Sequence, residues 1–229
     1  MKYTLAIFDL DGTILNTLED LADSLNAALE QSGYPGRTLE EVRCFVGNGI
    51  RKLIERGVPE GTDETAVSQV HKDFTEYYKV HCADKTRPYE GILDLLTGLK
   101  KAGCKLAVVS NKADYGVQEL CRRYFDGMFD IAVGEREGVL KKPAPDSVNE
   151  VLRRLRVRRE DAVYIGDSEV DIETAANAGM DHIIVDWGFR KAEFLKKRGA
   201  KVMVSRPEEI ENICVRGGVP RNIKIRKTS

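Results

Sequence analysis

The sequence predicts an α/β protein: a doubly wound, mostly parallel sheet core with an inserted all-helical cap domain. Three observations predict it. One short apolar, β-prone run, Leu5–Phe8, comes first. Residues 16–85 then carry only helical periodicity. From residue 86 onward, strand-like and helix-like segments alternate, as in a parallel sheet covered on both faces. Two sequential domains would leave Leu5–Phe8 with nothing to pair, so an insertion explains the order. The expected division is a discontinuous core, residues 1–15 and 86–229, around a cap of residues 16–85.

The elements follow in order. Residues 17–33 place Leu18, Leu21, Ala22, Leu25, Ala28 and Leu29 on one helical face. Thr17 is the expected cap, and Gly33 followed by Pro35 the stop. A helix over 38–45 has Glu41 three residues after Thr38, a capping-box spacing. Residues 48–56 and 62–81 complete the helical block. Beyond it the expected helices are 89–102, 113–124, 144–155 and 170–178. Pro145 belongs in the first turn of the third. The expected strands are 105–109, 129–133, 162–165, 182–185 and 201–204.

Composition bounds the function. The chain has 229 residues, enough for a sizeable core, with 42% hydrophobic and 32% charged residues. A net charge of −1 gives no global basic field and no argument for a nucleic-acid partner. A short basic tail (Arg216, Arg221, Lys224, Arg226, Lys227) reads as a solvated terminus. No apolar run reaches the roughly 20 residues of a membrane span, and the start has no signal-peptide pattern, so no membrane association is expected. Five dispersed cysteines suit reduced thiols and a cytoplasmic location.

The chemistry concentrates at strand ends. Asp9 and Asp11 follow Leu5–Phe8 directly, and on an extended chain that spacing sends both side chains the same way. Gly12 permits a sharp turn after them. Crowded carboxylates need a cation or donors, although an Asp-Gly turn with solvated acids has the same local pattern. Ser110 and Asn111 follow the 105–109 run, either as anion-binding groups or as an ordinary helix cap. Lys142, locked by Pro143, can neutralise charge on a phosphoryl group or stand as a solvated loop lysine. Asp167 follows Gly166 after another strand, and Asp171 lies one helical turn further. Carboxylates with few nitrogen or sulfur ligands suit Mg²⁺ beside phosphate.

Asp9-Leu10-Asp11-Gly12-Thr13, Ser110-Asn111, Lys142-Pro143 and Gly166-Asp167-Ser168 with Asp171 resemble the four ordered motifs of the haloacid dehalogenase-like hydrolase superfamily. Val46-Gly47-Asn48-Gly49, Pro88-Tyr89-Glu90-Gly91 and Trp187-Gly188-Phe189-Arg190 resemble its phosphoglycolate phosphatase group. The resemblance spans residues 3 to about 212 and implies a Rossmann-type core. It implies that Asp9 is the nucleophile, Asp11 the acid/base, and Ser110 and Lys142 the phosphoryl ligands. Asp9, Asp11 through its carbonyl, and Asp167 would hold Mg²⁺, with Asp171 supporting. Thr13 and Asn111 are expected beside the substrate, and Thr13 favours water over a sugar hydroxyl as acceptor. In the cap, Asn48, Gly49 and Arg51 are the candidates for contacting a second anionic group of the substrate.

The implied activity is hydrolysis of a small phosphorylated metabolite, 2-phosphoglycolate first, by a monomer or homodimer. A pyrophosphatase, a nucleotide or sugar-phosphate phosphatase, and a phosphoglucomutase-like transferase remain open on the same scaffold.

Overall fold

The structure, a computed structural model, describes residues 1–217, so all of the basic tail beyond Arg216 lies outside the described residues. The chain begins with β1 (Leu5–Phe8), whose four residues are fully buried. They alternate between two cores, Leu5 and Ile7 on one face and Ala6 and Phe8 on the other. That two-sided burial is why the run is continuously apolar.

A two-stranded ribbon follows, made by β2 (Leu15–Asn16) and, after the helical insert, β3 (Arg87–Pro88). The insert comprises α1 (Leu18–Gln31), α2 (Leu39–Phe45), α3 (Ile50–Gly57) and α4 (Glu64–His81). Thr38 and Glu41 form the capping box that their spacing predicts. Thr17 does not cap α1: its hydroxyl is buried without a partner, and the Asn16 side chain faces the Leu18 N–H instead. The cap of α4 is Asp63, whose carboxylate accepts from the Ala66 N–H at 2.9 Å. Phe74 and Tyr78 stack at 5.3 Å on the buried face of α4.

The core resumes with α5 (Ile92–Lys101), β4 (Lys105–Ala113), α6 (Asp114–Phe125), β5 (Ile131–Glu135) and α7 (Asp146–Leu155). Then come β6 (Ala162–Gly166), α8 (Glu169–Asn177), β7 (Asp181–Val185), α9 (Ala192–Lys197), β8 (Met203–Val204) and α10 (Pro207–Arg216). Pro145 is the residue before α7 rather than inside its first turn. The sheet order is β5-β4-β1-β6-β7-β8, with every pairing parallel. The chain winds outward from β1 in one direction and then in the other. Its switch point is therefore the carboxyl end of β1, where such sheets place their ligands.

Among the described residues no helix is long and apolar enough to cross a membrane. The five cysteines are free, and burial pushes the thiols of Cys82, Cys104, Cys121 and Cys214 up, against nucleophilic use.

Candidate active site

Register brings the strand ends level. Phe8 pairs with Val108 of β4 and Ile165 of β6, so the residues that follow emerge side by side at the sheet edge. Asp9 continues this pairing, its N–H donating to the Ile165 carbonyl at 2.9 Å. Asp9, Asp167 and Asp171 converge, with a carboxylate oxygen of each within 4.8 Å of the others.

Lys142 holds this cluster together. Its Nζ lies 3.0 Å from Asp9 Oδ1 and 2.8 Å from Asp171 Oδ1, and it donates to the Tyr164 hydroxyl at 3.1 Å. Burial pulls the Lys142 ammonium down, but the Asp171 and Asp9 carboxylates outweigh it and hold the group well above its ordinary value. Asp9 Oδ1 also accepts from the Leu10 N–H at 2.7 Å.

Asp171 is fully buried at the third position of α8. Its second oxygen accepts from the Ser168 hydroxyl at 2.6 Å and from the Ser168 and Asp167 N–H groups. With both oxygens engaged, Asp171 orients Lys142 and the Gly-Asp-Ser turn. Gly166 is what lets it approach, because a Cβ there would come within 2.2 Å of the Asp171 carboxyl carbon.

Asp167 is held by the Thr13 hydroxyl at 3.1 Å and the Phe189 N–H at 2.8 Å. Burial, then the Asp171 and Asp9 charges, push its pKa up, and burial pushes Asp9 up as well despite Lys142. Two buried acids disfavoured as anions call for more positive charge than Lys142 supplies. An all-oxygen set of Asp9 and Asp167 matches a hard divalent ion such as Mg²⁺.

Asp11 turns elsewhere. Its carboxylate pairs with Lys112 Nζ at 3.1 and 3.3 Å and stands outside the Asp9–Asp167–Asp171 group. Ser110 and Asn111 are not at a helix start. They lie within β4, which runs on through a bulge to Ala113, and α6 begins only at Asp114.

Asp9, Asp11 and Asp167 line a cavity of about 50 Å³ beneath the helical insert. Ser110, Asn111 and Lys112 form the core wall, and Leu21, Val46, Ile50 and Leu53 the insert's wall. Asn111 donates to the carbonyls of Lys142 at 3.0 Å and Gly47 at 3.4 Å, so it ties core to insert, while its Oδ1 is buried without a partner.

Three expected substrate contacts do not line the cavity. Arg51 bonds to Glu55, Glu64 and Ser68, away from the cavity, because α3 turns its apolar Leu53 and Ile54 inward and its charged face to α4. Asn48 is taken by Arg56, which donates to Asn48 Oδ1 at 2.9 Å, and does not line the cavity. Thr13 is fully buried and serves Asp167 rather than lining the cavity. Gly49, by contrast, lies on the cavity wall with φ +87° and packs so closely that a Cβ would stand 3.1 Å from Glu135 Oε2.

Sequence reading gave no role to Lys112, Tyr78 or Arg190. Arg190 spans the two units: it pairs with Glu169 at 3.0 Å and donates to the Arg43 and Val46 carbonyls at 2.9 and 2.7 Å. Trp187 Nε1 donates to the Thr13 carbonyl at 3.1 Å, fixing the loop after β1. Arg190 lies inside the Trp187–Arg190 segment and Lys112 directly follows Ser110-Asn111, so position in or beside a motif was the available signal.

A doubly wound core, an acid cluster at its switch point and a helical cover define a hydrolase of the carboxylate-cluster kind. Residues 6–185 match the family model "Haloacid dehalogenase-like hydrolase", and the chain belongs to that family. A phosphoglycolate phosphatase from Aquifex aeolicus is 33% identical over 89% of this chain and 93% of its own length. An N-acetylmuramic acid 6-phosphate phosphatase from Pseudomonas aeruginosa is 29% identical over 94% and 96%. A crystal structure from Lactobacillus delbrueckii subsp. bulgaricus, provisionally assigned as a phosphoglycolate phosphatase, is 43% identical with a TM-score of 0.90, covering 94% of this chain and 99% of that one. The chain is thus a hydrolase of the phosphoglycolate phosphatase-like group, whose members are phosphoric monoester hydrolases.

Proposed function

We propose that the protein is a Mg²⁺-dependent phosphatase of small phosphate monoesters, with 2-phosphoglycolate as substrate. One observation carries the reading: Asp9, at the end of the central strand, shares a buried cluster with Lys142 and Asp167. A carboxylate flanked by a lysine and a metal-ready acid is a nucleophile set for phosphorus.

Asp9 attacks phosphorus, forming an aspartyl-phosphate as the ester P–O bond breaks. Asp11 gives its proton to the departing alkoxide oxygen. It then takes a proton from the incoming water, whose oxygen bonds to phosphorus and releases inorganic phosphate and free Asp9. Ser110 orients the phosphoryl oxygens, and the Lys142 charge beside Asp9 helps to neutralise them. Asp9, Asp167 and the Asp11 carbonyl would hold Mg²⁺, which supplies charge neutralisation between two anions. Asp171 orients Lys142, and Thr13 orients Asp167. The helical insert shuts the cavity from bulk water, which strengthens each of these charges. In the proposed division, residues 16–85 are that lid and residues 1–15 with 86–229 the catalytic core. Free, unpaired cysteines support a cytoplasmic location.

Cavity size supports the small substrate. A cavity of about 50 Å³ lined by Asp9, Asp11 and Asp167 suits a compact ester. Phosphate release from a panel of phosphorylated metabolites, with Mg²⁺ and with EDTA, tests the proposal. The expected result is the highest kcat/KM on 2-phosphoglycolate and loss of turnover in EDTA. A higher kcat/KM on N-acetylmuramic acid 6-phosphate, or turnover that survives EDTA, overturns it.

A further inference from the structure

We propose that Lys112, held by the cap residue Tyr78, receives the second anionic group of a short phosphorylated carboxylate, and so sets substrate choice. This deepens the phosphatase reading and rests on it. The insert's wall of the cavity offers apolar side chains and glycine, with no cation. The two cations that do line the cavity are Lys112 and Arg190. Arg190 already uses Nε and both terminal nitrogens on Glu169, Arg43 and Val46. Lys142 is likewise engaged, by Asp9, Asp171 and Tyr164.

Lys112 differs. An ammonium has three N–H donors. One is shared between the two oxygens of Asp11, and one goes to the Tyr78 hydroxyl. One donor therefore remains on a cavity-lining cation. The site is built to hold it there. The lysine is buried, its Nζ sits 4.6 Å from the centre of the Tyr78 ring, and its stem runs along Gly116, where a Cβ would stand 3.3 Å from Lys112 Cε.

The spacing suits a short substrate. Asp11 must reach the ester oxygen by a hydrogen bond of about 2.7 Å. Lys112 Nζ lies only 3.1 Å from Asp11 Oδ1. A carboxylate on the first carbon after the ester oxygen can reach Nζ by a further bond of about 2.8 Å. Tyr78 belongs to α4 and Lys112 to β4, so the anion receptor is complete only with the insert seated on the core.

The test compares kcat/KM for 2-phosphoglycolate and ethyl phosphate at saturating Mg²⁺, in the wild type, Lys112→Met and Tyr78→Phe. The informative quantity is the ratio of the two, because an altered Asp11 affects both substrates. The wild type is expected to favour 2-phosphoglycolate. Lys112→Met is expected to lower the ratio at least tenfold, mainly through KM, and Tyr78→Phe, which keeps the ring, to lower it at least threefold. If Lys112→Met fails to fold or turns over neither ester, Tyr78→Phe decides alone. A ratio unchanged within twofold, or a wild type that prefers ethyl phosphate, overturns the inference and leaves the phosphatase reading intact. Failure of the wild type on every monoester removes both.

Discussion

Asp171 Oδ1 sits 2.8 Å from Lys142 Nζ with both side chains buried, so the helix that follows β6 and the loop that leads into α7 meet as a single charge pair. Breaking such a pair by removing one partner's charge is costly, because the other charge stays buried. Asp171→Asn should lower unfolding stability by about 3 kcal/mol. It also leaves the Ser168 hydroxyl and two N–H groups facing an amide. Denaturant titration checks the loss. An unchanged midpoint would show that Asp171 does not anchor Lys142.

Asp9→Asn should reduce turnover by a factor on the order of 10³ or more, since an amide is a poor nucleophile. The fold should persist, because the amide oxygen still accepts from the Leu10 N–H and from Lys142. Single-turnover assays beside far-UV circular dichroism separate the two effects. Turnover near the wild-type rate would contradict a nucleophilic role.

Gly188→Ala should weaken metal use without replacing a ligand. The added Cβ would fall 2.3 Å from the Asp167 Cβ and 2.4 Å from its Oδ2, and Asp167 must give way. Displacing a metal ligand through its support typically costs roughly 10–100-fold in metal affinity. The Mg²⁺ concentration for half-maximal activity should rise by that factor. An unchanged activation constant would free Gly188 of this role.

The sequence made the convergence of the core's acids and lysine legible for a physical reason. The acids and the lysine each follow a strand, the hydroxyl lies in the last part of one, and parallel pairing carries strand ends to one rim, as the Phe8–Val108 and Phe8–Ile165 pairings show. Direction was the hidden variable. Arg51 lies in the right segment, yet the apolar stripe of α3 turns it toward α4. Thr13 lies in the right motif, yet Asp167 claims its hydroxyl across 154 positions of chain. Such long-range partners leave no mark in local periodicity. The ribbon strands β2 and β3, two residues each, were too short to have a period at all. Helices α9 and α10 were missed as well, the first only six residues long.

His182 gives a pH-dependent stability. Its ring is buried, Nε2 accepts from the Lys201 N–H at 3.0 Å, and burial followed by the Lys201 charge pulls its pKa down. With the folded value below the unfolded value of about 6.5, the unfolded chain binds more protons as pH falls through that range. This contribution is therefore fully present above about pH 6.5 and is lost as pH falls toward the depressed folded value. His182→Gln should show a smaller fall in Tm between pH 7.5 and 5.5 than the wild type (both chosen to bracket about 6.5). An equal fall in both proteins would locate the sensitivity elsewhere.

The paired strands β2 and β3 bring the two ends of the helical insert together, Leu15 opposite Pro88 and Asn16 opposite Arg87. Asp20 clamps the return crossing, accepting from the Lys85 and Thr86 N–H groups at 2.8–3.1 Å. A module whose ends meet at one stem can be swapped, lengthened or trimmed like a graft, with the rootstock left undisturbed. Descent with diversification then needs no new chemistry: a different graft on the same stem presents a different molecule to the same aspartate.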